Sequence, residues 1–235
     1  KGKKNMFNLK IYSNLIKSLL NAGLKPSTNW NKKLTKNTLF IRHDVDFSIE
    51  YAHRLAEFES GLKINSTFFF MFCTNLYNLL SSHNQKLVKD ISRMGHKVSI
   101  HFDPTVYKNL KYFNYEKNLF ENIFGEKVDI VSIHRPKLFL KNNNIKLSGI
   151  PQTYQNAFFK NMKYIADSNC KDVFPEIKKY LEEPRKLGLH LLIHPIWWMD
   201  IGSNPSETIN NWRDTNRDFI TSEIRNNCKA YRKHK

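Results

Sequence analysis

Four apolar, strand-like runs of this sequence end in histidine: Ile41-Arg42-His43-Asp44-Val45-Asp46, Ile100-His101-Phe102-Asp103, Ile133-His134-Arg135-Pro136 and Ile193-His194-Pro195. Side chains two apart on an extended strand point to one side, so Asp44 and Asp46 share a face, as do His101 and Asp103. Two carboxylates held together repel unless a cation or a proton lies between them. Imidazole with carboxylate is the ligand set of zinc and other first-row divalent ions. Such an ion lowers the pKa of a bound water to about 7 and polarises a carbonyl, and both effects serve hydrolysis. The constellation points to a metal-assisted hydrolase. Structural alternatives stand beside it: Asp44 and Asp46 as a turn and capping pair leading into Ser48, His101 as a hydrogen-bonded core residue, His134 as a brace for the Arg135-Pro136 turn.

These groups can act together only if the strand ends open on one mouth, as they do at the carboxyl ends of parallel strands. Apolar β-rich runs fall at residues 39–41, 66–72, 98–102, 130–133, 163–166 and 189–193, and helical periodicity at 9–20, 49–59, 87–94, 115–124, 174–187 and 206–228. Strands alternating with helices predict an α/β fold with mainly parallel pairing. No internal repeat or Gly/Ser/Pro-rich linker divides the chain, so one catalytic domain over 1–235 is expected. Its motif-bearing core runs from about 38 to 200, with helices 8–22 and 206–228 packed on it.

Of the 235 residues, 40% are hydrophobic and 25% charged, which excludes a disordered tail. The longest apolar run, 66–72, falls well short of the roughly 20 residues of a bilayer span. Cys73, Cys170 and Cys228 lie far apart without a C-x-x-C pair, against a disulfide framework or a zinc knuckle. Lys1-Gly2-Lys3-Lys4 leads into an amphipathic segment rather than an apolar export core, so a cytoplasmic protein is expected. Thirty-eight Lys+Arg against twenty-one Asp+Glu leave a net charge of +17. A polyanionic partner such as nucleic acid, anionic lipid or an acidic glycan is one reading of that charge. Scattered lysines in a chain rich in Lys, Asn, Ile and Phe are the other, which the spread favours; nucleic acid is not expected.

Asp44/Asp46, Ser66-Thr67-Phe68-Phe69-Phe70, Gly95-His96-Lys97-Val98-Ser99-Ile100-His101, Arg135-Pro136 and Leu192-Ile193-His194 follow one another along the chain. From Leu39 to Trp198 the chain resembles the polysaccharide deacetylase (NodB-homology) family. The spelling R-H-D-V-D, S-I-H-R-P and L-I-H-P-I-W-W is similar to members of bacterial surface-polysaccharide biosynthesis. The resemblance implies a distorted (β/α) barrel of parallel strands with outer helices. It implies a carbohydrate deacetylase that uses a divalent metal, Zn2+ first, to remove an N-acetyl rather than an O-acetyl group. Its substrate would be an acetylated amino sugar; if the basic surface is functional, that substrate is anionic or nucleotide-linked. Asp44 would be the general base that takes a proton from metal-bound water, with Arg135 orienting and charge-balancing it. Asp46 and His101 would be metal ligands, and His194 the general acid that protonates the leaving amine.

The sequence departs from the family at Thr105, where a second histidine ligand is usual. His134 is the preferred replacement and Asp103 the second choice. The acids are spelled Asp-Val-Asp rather than side by side, which leaves the roles of Asp44 and Asp46 open to exchange. The departures also keep two alternatives: a metal-independent C–N hydrolase of the same fold, and a non-catalytic glycan- or nucleic-acid-binding relative. Trp197 and Trp198 would stack on a sugar ring or pack beneath the mouth. Asp167 and Ser168 would hydrogen-bond substrate hydroxyls or cap a turn. His43 should point away from the acids. His190, four before His194, is placed to support it from beneath. His96 reads as a helix-terminal imidazole, and His53, His83 and His234 as surface residues.

Overall fold

The computed structural model of the chain describes residues 7–183, 187–199 and 202–231. Its strands are β1 (Lys25–Pro26), β2 (Thr38–Val45), β3 (Thr67–Phe70), β4 (Lys97–Phe102), β5 (Val131–Ile133), β6 (Lys163–Ala166) and β7 (Leu189–Ile193). The helices are α1 (Leu9–Asn21), α2 (Ile49–Gly61), α3 (Ser82–Arg93), α4 (Phe113–Phe124), α5 (Lys137–Lys141), α6 (Asn156–Phe159), α7 (Phe174–Glu182), α8 (Pro195–Trp198) and α9 (Pro205–Asn227). Every strand pairing is parallel, in the order β5-β4-β3-β2-β7-β6, and β1 lies beside the first residues of β2. A parallel bridge from Val131 adds Gln152 outside β5. Taken round the wall, β2, β3, β4, β5, Gln152, β6 and β7 follow chain order and return to β2.

The sheet curls strongly. Neighbouring strands lie about 4.8 Å apart, so in a flat sheet β2 and β5 would be about 14 Å apart. Yet Ser132 Oγ on β5 donates to Asp44 Oδ1 on β2 at 2.8 Å, and Arg42 Nη2 donates to Ser132 Oγ at 2.7 Å. Side chains this short meet only across the inside of a barrel. The wall is a distorted (β/α) barrel, with no ladder between Gln152 and β6 among the described residues.

Alternation along β2 sorts its residues. Phe40, Arg42 and Asp44 point inward, whereas His43 turns outward to α2, where its Nε2 lies 2.9 Å from Glu59 Oε1. The interior is layered. Its floor is Trp30, Phe40, Phe69, Ile130, Phe158 and Met162, with Trp30 stacked on Phe40 at 4.2 Å. Above lie the buried Arg42 and Ser132, and the acids and histidines of the strand ends come last. Two larger apolar clusters lie outside the sheet under the helices.

Local chemistry sets the helix starts. Asn8 Oδ1 accepts from Ile11 N at 2.8 Å, Ser48 Oγ from Tyr51 N at 3.2 Å and Ser81 Oγ from Asn84 N at 3.2 Å. The Ser81 cap starts α3 five residues before its apolar periodicity shows. β2 runs four residues past the expected 39–41, because inside the barrel Arg42 Nε and Nη2 pair with Asp44 and Ser132, which allows polar residues in a buried strand. The helix expected over 174–187 ends at Glu182, with 184–186 outside the described residues. Among the described residues no helix is long and apolar enough to cross a membrane.

Candidate metal centre

The carboxyl ends of β2, β4, β5 and β7 deliver Asp46, His101, His134 and His194 to one cleft of about 600 Å³. A concavity of similar volume, about 620 Å³, lies at the opposite end of the barrel around Gly125 to Asp129 and holds none of these groups. In the cleft, Asp46, His101 and His134 each present one ligand atom to a common point. His101 Nε2 lies 3.2 Å from Asp46 Oδ1 and 3.2 Å from His134 Nδ1, and His134 Nδ1 lies 3.7 Å from Asp46 Oδ1. A tetrahedral ion with bonds of about 2.0–2.1 Å separates its ligands by roughly 3.3 Å. Asp46 Oδ1 is buried without a hydrogen-bond donor, as an atom reserved for a cation would be.

Hydrogen bonding sets the tautomer of His101. The Ser132 hydroxyl has one hydrogen, which it donates to Asp44 Oδ1. His101 Nδ1, 2.8 Å from the same oxygen, is therefore the N–H donor to Ser132. That leaves the Nε2 lone pair bare toward Asp46 and His134, the form that binds a metal. Burial, then the neighbouring His101, lowers the pKa of His134 and favours its neutral ligating form.

Asp44 lies directly beneath. Arg42 Nε donates to its Oδ1 at 2.8 Å and Nη2 to its Oδ2 at 2.5 Å, a two-point clamp from the same strand. Burial raises the pKa of Asp44, but Arg42 and then His101 more than reverse this and hold it well below the usual carboxylate range.

On the far side of the cleft, His194 Nδ1 donates to Asp167 Oδ1 at 2.5 Å, and its Nε2 lies 3.7 Å from Asp46 Oδ2. Asp167 also accepts from the backbone N of His194 at 3.0 Å and from Trp198 Nε1 at 2.8 Å. Burial disfavours the imidazolium, yet the Asp167 carboxylate overrides it and pushes His194 up to about 9.

Several expectations are corrected. Arg135 does not reach Asp44; its Nη1 lies 3.2 Å from Thr105 Oγ1 and 3.4 Å from Asp103 Oδ2, and Arg42 occupies the place expected for it. Asp103 is not among the converging ligands, since its Oδ1 accepts from the backbone N and hydroxyl of Thr105. Trp198 is 0% exposed and edge-packed on Phe7 and Tyr12, so no sugar can stack on it. Asp167 is also 0% exposed and meets no substrate hydroxyl. His190 does not brace His194; it lies in the floor against Trp30 and Tyr164, where burial pushes its pKa down to about 3. His96, two residues past the α3 C-cap Met94, is buried and donates from Nε2 to Ala56 O at 3.0 Å. Trp197 and Ser168 do line the cleft. His234 is outside the described residues.

The sequence reading does not reach Arg42 and Ser132, although each stands two before a candidate, Asp44 and His134, on the same strand face. Tyr154, which also lines the cleft, had no such signal.

No protein-family model matches this sequence, and no curated protein matches it. Solved structures similar to it include family 4 carbohydrate esterases and deacetylases. A family 4 pseudoenzyme from Bacillus anthracis is 14% identical, covering 81% of this chain and 65% of its own, with a TM-score of 0.43. This chain thus spans slightly less than two thirds of that relative. A family 4 carbohydrate esterase from Bacillus anthracis is 13% identical over 88% of this chain and 86% of its own, with a TM-score of 0.42. A chitin deacetylase from Colletotrichum lindemuthianum is 13% identical over 81% of this chain and 86% of its own, with a TM-score of 0.47.

Proposed function

We propose that this chain is a divalent-metal-dependent deacetylase that removes an N-acetyl group from an amino-sugar unit during assembly of a surface polysaccharide. The observation that carries the reading is one cleft holding three converging ligand atoms with a clamped carboxylate and an aimed imidazole beside them. Asp46, His101 and His134 would hold the ion, Zn2+ or another first-row divalent metal. Bound there, it supplies Lewis-acid polarisation of the acetyl carbonyl and a more acidic water.

The chain's own residues supply the rest. Asp44, fixed by Arg42 and Ser132, is the anion beside His101 that accepts the proton of the attacking water. His194, held through Nδ1 by Asp167, keeps Nε2 for the leaving nitrogen. An amine leaves an acetamide only once protonated, so a base and an acid on opposite sides of one mouth suit this bond. Trp197 and Ser168 form part of the wall that receives the sugar.

The test strips the purified chain with a chelator, restores zinc, and measures bound metal and acetate released from N-acetylated amino sugars. One zinc per chain and zinc-restored acetate release are expected, both lost in Asp46→Ala. A chain that binds no metal and releases no acetate overturns the reading.

A further inference from the structure

Because Arg42 clamps Asp44, the Arg135 guanidinium is left for other work. It is 64% exposed and lines the cleft, where it is the one Lys or Arg among the described lining residues. Its protein contacts, with Thr105 and Asp103, are both made through Nη1. A guanidinium carries five N–H donors in a planar fork, so the Nε and Nη2 edge remains available for a second oxyanion.

The backbone supports a functional placement. Arg135 has φ 52°, in the left-handed region where a β-carbon is strained, and Asn169, which also lines the cleft, has φ 57°. The strain at Arg135 is imposed from both sides: His134 N donates to Phe102 O at 2.8 Å, and Lys137 N donates to Arg135 O at 2.9 Å. Strained non-glycine positions that persist beside a cleft point to function. Asp44, Asp46 and the three histidines occupy the inner end of the cleft, which the acetamido group would fill, so an anionic group on the same sugar would lie at the rim, beside Arg135. The net charge of +17 draws anions to the molecule, but a two-point contact selects among them.

We propose that Arg135 is the specificity residue for an oxyanion, a carboxylate or a phosphate, carried by the sugar near its acetamido group. The cleft's preferred substrate is then an acidic N-acetylated amino sugar. This rests on the deacetylase reading for what fills the inner end of the cleft.

The test measures binding to the zinc-loaded protein by ligand titration, whether or not acetate is released. The probes are a neutral N-acetylhexosamine, an N-acetylated aminouronate and an N-acetylhexosamine 1-phosphate. At least one acidic probe should bind about tenfold tighter than the neutral one, and the two acidic arms identify carboxylate or phosphate as the source. R135Q and R135G should bring that ratio close to one. R135G should also melt no lower than the parent, because glycine adopts this φ freely, which separates loss of the guanidinium from loss of the fold. Equal binding of neutral and acidic probes, no binding of any of them, or a preference that survives in either variant overturns the proposal. Acidic preference without acetate release would sink the deacetylase reading alone, and acetate release without acidic preference this proposal alone.

Discussion

Ser132 is an unremarkable residue by type, yet three site groups meet on its hydroxyl. Its hydrogen goes to Asp44, while Arg42 Nη2 and His101 Nδ1 donate to its lone pairs. Ser132→Ala removes the acceptor that keeps the His101 hydrogen on Nδ1. Groups that orient a ligating histidine are typically worth 10–100-fold in metal affinity. Zinc competition against a chromophoric chelator should show a loss of about that size, with the fold retained. An affinity equal to the parent's would mean that His101 holds its tautomer without help.

At the scale of elements, the outer side of the sheet carries a buried polar junction that the cleft does not use. Glu59 on α2 accepts from Tyr12 OH on α1 and from Ser66 Oγ, before β3, at 2.5 Å, and lies 2.9 Å from His43 Nε2 on β2. Burial raises the Glu59 pKa, but His43 and the Ser66 hydroxyl reverse this and leave it below 4.5. Burial also lowers His96, whose Nδ1 accepts from Ser66 N at 3.2 Å, below 6.5. Both folded-state values lie beneath the unfolded ones, so each group's contribution is complete above its ordinary pKa and disappears as acid titrates through the folded value. The melting temperature should therefore fall steadily as the pH drops from about 6.5 toward 4. Glu59→Gln should lower stability by about 3–5 kcal/mol in chemical denaturation at neutral pH and flatten the acid limb. A parent protein equally stable at pH 7 and pH 4 would show that this junction is not linked to protons.

For the molecule as a whole, stability and site come from the barrel and the helices packed on it. Those contacts scarcely reach the second half of α9. Thr208 is its buried residue, Ile209 and Trp212 pack against the core, and Phe219, Ile220 and Ile224 are 50%, 49% and 43% exposed. Deleting residues from 217 onward should shift the melting temperature by less than about 4 °C, the equivalent of roughly 1 kcal/mol in a chain of this size. A larger drop on a thermal melt would mean that this segment holds the barrel together.

Alternation along a strand and capping at a helix start are local properties, set by a few neighbouring residues, and are legible without the fold. They sufficed for the α/β alternation, for the outward turn of His43 and for Asp46, His101 and His134 as strand-end candidates. Chain order alone did not decide between Arg42 and Arg135 as the partner of Asp44. Arg42 reaches Asp44 within its own strand, while the chain beyond β5 carries Arg135 to Thr105 and Asp103 instead. The burial of Trp198 and Asp167 is likewise decided by what packs over them, Phe7 and Tyr12 on one side and His194 on the other. Tertiary structure settles such matters because a side chain's partner and exposure depend on groups distant along the chain, which closure of the barrel brings within reach.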